Sequence, residues 1–63
     1  MKNLQAEMKR HGIRNAQIQR VLGCSEKTAR NKMSGVTQFT VEEAITIRDA
    51  FFPGMRIGYL FAK

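Results

Sequence analysis

Gly12, Gly23, Gly35 and the Pro53-Gly54 pair punctuate a chain whose apolar residues recur three or four positions apart. That spacing puts apolar side chains on one face of a helix, and nothing alternates at period two for long enough to make a strand. Leu4, Met8 and His11 mark helix 1, with Asn3 as its cap and Gly12 just past its end. Ile18, Val21 and Leu22 stripe helix 2, about 15–22, which Gly23 terminates by accepting positive φ. Ser25 caps helix 3, about 25–34, whose inner side is Ala29 and Met33 and whose end is Ser34-Gly35. Thr40-x-x-Glu43 is a capping box, and Phe39 stands to Ala44 at the spacing of a hydrophobic staple. Helix 4 then carries Val41, Ala44, Ile45, Ile47, Phe51 and Phe52 on a wide apolar face until Pro53 stops it. A short last helix, about Arg56 to Phe61, buries Ile57, Leu60 and Phe61. The expectation is one all-α domain over residues 1–63, compact and built of five helices.

Sixty-three residues supply one thin core. With one Cys and one His, neither a disulfide framework nor a structural zinc site reinforces it, so helix packing or self-association must. No metal or cofactor is expected. The lone thiol suits a reducing compartment, and the first ten residues lack the apolar centre of a signal peptide. Tyr59-Leu60-Phe61-Ala62, the longest apolar run, is too short to cross a bilayer. These features point to a soluble intracellular protein with no membrane partner.

Charge divides the chain. Residues 1–32 hold eight Lys and Arg against two Glu and so carry the whole formal charge of +6, whereas residues 33–63 balance three against three. One half faces a polyanion, nucleic acid before an anionic membrane surface, and the neutral half is left for packing or association.

Two helices joined by a Gly-centred turn, the second polar and positive on its outer side, describe a helix-turn-helix that lays its second helix in the major groove. With Gly12-Ile13, Leu22-Gly23-Cys24-Ser25, Thr28-Ala29, Ser34-Gly35 and Tyr59-Leu60-Phe61, the chain resembles the lambda-type phage repressor and Cro family over nearly its full length. The resemblance implies a five-helix lambda repressor-like domain and a regulator of phage or prophage type in a bacterial cytoplasm. Such a regulator would bind a two-fold double-stranded DNA operator as a homodimer, formed in solution or only on the operator. No residues remain for a small-molecule ligand domain. The chain departs from the family where Gln19 replaces a small residue and where Arg14 replaces the usual Thr or Ser cap, so that either helix 2 packs more loosely on helix 3 or Asn15 takes over the cap. Met8 and Met33 stand where relatives commonly pair an Arg with a Glu. Two apolar partners strand no charge, and two thioethers fill the same gap.

A helical wheel with its inner direction between Ala29 and Met33 leaves Lys27, Asn31 and Ser34 on the far side, flanked by Thr28 and Arg30. Lys27 and Arg30 suit guanine O6 and N7, and Asn31 suits adenine. Glu26 either accepts from cytosine N4 or, more simply, pairs with Arg30 one turn on. Positioning contacts to phosphate are expected from the start of helix 2 and from the connector after helix 3, through free backbone N–H groups and polar side chains. The residues are Asn15, which fills the slot of a phosphate-touching Gln in relatives, with Gln17, Lys32, Ser34, Gly35 and Thr37.

Taken singly, each of these is an ordinary solvated side chain. Cys24 reads as a small apolar plug and His11 as a residue compatible with a helix C-terminus. Phe51-Phe52 and Tyr59-Leu60-Phe61 read first as core; Met55, Ile57, Tyr59 and Phe61 are the expected dimer face. No acid–base pair, nucleophile arrangement or phosphate loop suggests an enzyme. The competing class is a helical interaction module of antirepressor type, acting through the apolar C-terminal half.

Overall fold

The computed structural model describes residues 2–62, and these form an all-helical domain. Its five helices are α1 (Lys2–His11), α2 (Asn15–Leu22), α3 (Glu26–Ser34), α4 (Val41–Phe51) and α5 (Ile57–Leu60). The expected boundaries hold to within a residue or two because each end carries local chemistry. Ser25 Oγ accepts from the Thr28 N–H at 3.2 Å, and Thr40 and Glu43 exchange both bonds of the capping box. Gly23 ends α2 in the left-handed region, at φ 67, and sends its N–H to the Gln19 carbonyl.

Leu4, Met8, Ile18, Met33, Ile47, Phe52 and Leu60 make one buried cluster to which every helix contributes. Helix α2 packs against α3 and α4, while α5 bridges α1 and α4. Met8 and Met33 are both buried in this cluster, as expected of an apolar replacement for an ion pair.

Three local expectations are corrected. Asn3 does not cap α1; it lies within the helix, and its Nδ2 donates to the Tyr59 carbonyl at 2.8 Å, holding α5 in place. Asn15 does not cap α2 either. The N-cap is Arg14, whose N–H donates to Gln17 Oε1 at 2.8 Å. A guanidinium has no acceptor, so only the Gln17 half of a capping box is chemically possible here. On α4 the apolar face is narrower than expected: Ala44 and Ile47 are buried, whereas Val41 is 74% and Ile45 38% exposed. At about 100° per residue, Val41 and Ile45 lie roughly 90° and 130° from the line through Ala44, Ile47 and Phe51.

Glu7, one of the two acids in the basic half, is 2% exposed, a buried carboxylate in a small core. It accepts from Tyr59 Oη at 2.8 Å and from Arg10 Nη1 at 3.2 Å, and His11 Nε2 lies 3.6 Å away. The His11 ring also meets Phe52 edge to face at 5.5 Å, so His11 is only partly a solvated residue. These donors satisfy the desolvated charge, and no buried polar side-chain atom among the described residues lacks a partner.

Candidate nucleic-acid interface

The unit formed by α2, the three-residue turn Gly23-Cys24-Ser25 and α3 is held to the domain unequally along its length. Helix α3 buries only Ala29 and Met33. Glu26, Lys27, Arg30 and Ser34 are exposed, Thr28 and Asn31 half-buried, and an open concavity runs past Ser25, Glu26, Lys27, Arg30 and Asn31. The expected base-reading residues therefore share one outward strip.

Their bonding differs. Among the described residues Lys27 has no hydrogen-bond or ion-pair partner, and the Asn31 side-chain amide is likewise uncommitted. Arg30 Nη2 pairs with Glu26 Oε1, the simpler of the two roles expected of Glu26. One oxygen and one nitrogen are used, so the Arg30 fork keeps donors for a second acceptor. Thr28 Oγ1 accepts from Ser25 Oγ at 3.0 Å and retains its own proton to give.

The residues expected to touch phosphate separate into two groups. Asn15 is exposed, and Gln17, having spent its oxygen on Arg14, still has its amide donors. The connector after α3 disagrees with expectation, because its backbone N–H groups are not free. Gly35 N–H goes to the Lys32 carbonyl at 3.3 Å; those of Val36 and Thr37 go to the Asn31 carbonyl at 2.9 and 3.2 Å. Ser34 Oγ gives its one proton to the same Asn31 carbonyl at 3.2 Å. A phosphate oxygen only accepts, so Gly35 and Ser34 offer it nothing in this arrangement, and Thr37 offers only its hydroxyl. Gly35 sits at φ 88, where a left-handed residue lets the chain turn back onto these carbonyls.

Lys32 is redirected as well. Its ammonium lies 2.9 Å from Glu43 Oε1 and 3.2 Å from the Gln38 carbonyl, with its side chain 13% exposed. It ties the end of α3 to the start of α4. The Thr40 N–H and the Lys32 ammonium together hold the Glu43 carboxyl below its ordinary range. The pairing spans eleven residues of sequence and carried no local signal.

Ion pairing redraws the charge map. Arg10, Arg30, Lys32 and Arg48 are paired with Glu7, Glu26, Glu43 and Asp49. The cations without an acidic partner among the described residues are Lys2, Lys9, Arg14, Arg20, Lys27 and Arg56. Only Arg56 lies outside α1–α3 and the segments joining them. Arg14 is the N-cap of α2 and Arg20 stands in its last turn; neither is among the expected phosphate contacts, which on α2 are Asn15 and Gln17.

The expected dimer face is partly consumed inside the domain. Met55 and Phe61 pack on the core cluster, Phe61 meeting Phe39 edge to face at 5.2 Å. Tyr59 is 45% exposed, but its hydroxyl belongs to Glu7. Ile57 lines an open apolar groove with Phe39, Val41, Ala44 and Phe61. Among the described residues no helix is long and apolar enough to cross a membrane. No family model, curated protein or solved structure matches the chain.

Proposed function

We propose that this chain is a sequence-specific double-stranded DNA-binding regulator of phage repressor or Cro type, acting as a dimer on a two-fold operator. The observation that carries the reading is the outward strip Lys27, Arg30 and Asn31 on α3, whose buried side is Ala29 and Met33, together with Arg14 and Arg20 of the α2 segment, which have no acidic partner among the described residues. Outward donors on an exposed helix face suit base edges in a major groove, and cations without acidic partners suit the phosphates that border it. Lys27 and the free donors of Arg30 would favour guanine, and Asn31 adenine. Asn15, Gln17 and Arg14 would hold the backbone. One such helix offers about three base contacts at roughly 1–3 kcal/mol of discrimination each, too few to select one genomic site, so two copies would be needed.

Selection from a random duplex pool tests this. A palindromic consensus with half-sites about one helical turn apart is expected, and Lys27→Ala with Asn31→Ala should abolish it. Recovery of no consensus by the folded wild-type chain would overturn the proposal. The apolar groove beside α4 favours a second reading, a helical module that acts through a protein partner. That reading predicts that the same double substitution leaves partner binding intact.

A further inference from the structure

The basic half of the chain has two acids, and they lie in opposite settings. Glu7 is buried among Tyr59, Arg10 and His11, whereas Glu26 opens α3 with its side chain 70% exposed. Glu26 is therefore the one acid that residues 2–32 present to solvent. It stands within the outward strip, lining the same open concavity as Ser25, Lys27, Arg30 and Asn31. A carboxylate in that place opposes the approach of every phosphate that the surrounding cations attract.

The fold gains little from the pair that Glu26 makes with Arg30, because both side chains are mostly exposed. Its geometry bears instead on what the strip can accept. Arg30 Nη2 donates to Glu26 Oε1, which leaves Glu26 Oε2 as an acceptor beside the remaining guanidinium N–H donors. A phosphate oxygen only accepts, so it satisfies the guanidinium and leaves the carboxylate facing a like charge. The major-groove edge of a G·C pair offers both kinds of group, acceptors at guanine O6 and N7 and a donor at cytosine N4. The intact pair is thus complementary to that edge and not to the backbone, and it combines the two roles open to Glu26.

On the DNA-binding reading above, on which this rests, we infer that Glu26 is a specificity-determining residue that restrains Arg30. Its carboxylate keeps the guanidinium from serving as one more phosphate contact, and it is satisfied only where a G·C pair supplies the cytosine N4 proton. Discrimination then comes from a penalty on the wrong surface as well as from contacts with the right one. Without Glu26 the strip would bind duplex DNA more tightly and choose among sequences less well.

Titration of the full chain against a duplex of random sequence and against its selected duplex, each over a range of salt, tests the inference. Glu26→Gln keeps the shape of the side chain and removes its charge. On the random duplex it should tighten binding about tenfold at low salt and steepen the slope of log K against log salt by about 0.9, the signature of one added phosphate contact. The ratio of selected to random affinity should fall about tenfold, and selection with the variant should lose its requirement for one G·C pair. In an Arg30→Gln background the same substitution should change random-duplex affinity less than about threefold, because the guanidinium it restrains is gone. An acid in the first turn also complements the helix dipole, and thermal melts read that structural role separately. Random-duplex affinity unmoved by Glu26→Gln, or moved equally with and without the Arg30 guanidinium, would overturn the inference and leave the DNA-binding reading standing on the consensus that wild type selects. A wild-type chain that selects no consensus would overturn both.

Discussion

The Tyr59 hydroxyl donates to Glu7 Oε2 at 2.8 Å, joining α5 to α1 across fifty-two residues of chain. The Asn3 amide grips the Tyr59 carbonyl from the same helix at 2.8 Å. Helix α5 buries only Leu60, so these two bonds are a large part of what holds it.

Proton donation to Glu7 raises the Tyr59 phenol above its usual value. A group whose pKa is raised by folding stabilises the fold below its unfolded value, about 10, and loses that contribution as pH rises through the folded one. Denaturant midpoints should therefore fall on the alkaline side, and Tyr59→Phe should be less stable at neutral pH while lacking that alkaline loss. Combined with Glu7→Gln, it should show a non-additive effect beyond the scatter of independent sites.

Glu43 behaves in the opposite sense. Its carboxyl is held low, so its contribution is present above the usual carboxylate value, about 4.3, and disappears as pH falls through the lower folded one. Glu43→Gln should flatten the acid limb of a stability–pH profile. Thr40→Ala, which removes the acceptor for the Glu43 N–H, should cost about 1 kcal/mol at neutral pH by chemical denaturation.

Met33→Ala should destabilise by roughly 2–5 kcal/mol, since it empties space in the cluster that Met33 shares with Met8. Met33→Glu should cost more by burying a charge without a partner. Adding Met8→Arg should recover much of that loss. Additive effects across this double-mutant cycle would show that the two positions do not meet.

Lys27 and Lys32 should separate DNA binding from stability. Lys27→Ala should leave the melting temperature unchanged and weaken a selected duplex by about 1–3 kcal/mol in a binding titration. Lys32→Ala should lower stability by about 1 kcal/mol and leave the affinity of the folded chain nearly unchanged, because its ammonium is committed to Glu43 and Gln38. Wild-type affinity should also fall steeply as salt rises.

Helix positions were legible in the sequence because caps and left-handed glycines are local signals: Ser25, Thr40 with Glu43, Gly23 and Gly35 each act within a few residues of themselves. The outward strip of α3 was legible for the same reason, since Ala29 and Met33 define its inner side. What escaped depends on partners brought from elsewhere in the chain. Glu7 enters the sequence reading only as a charge, and its burial depends on Tyr59 from the other end of the chain. Lys32 looked like a phosphate ligand until Glu43 folded against it. The connector N–H groups looked free because nothing local shows that the Asn31 carbonyl collects those of Gly35, Val36 and Thr37. On α4 the helical period was correct, and the error lay in the direction of the core, which is set by the helices that pack on it.

The narrow anchoring of α3 makes it an exchangeable part. Glu26, Lys27, Arg30 and Ser34 contribute nothing to the buried cluster, so their identities are free to change with the scaffold held constant. On the proposed reading, a chain built this way would acquire a new preference through changes on the outward strip, while Ala29 and Met33 keep the helix seated in the same place.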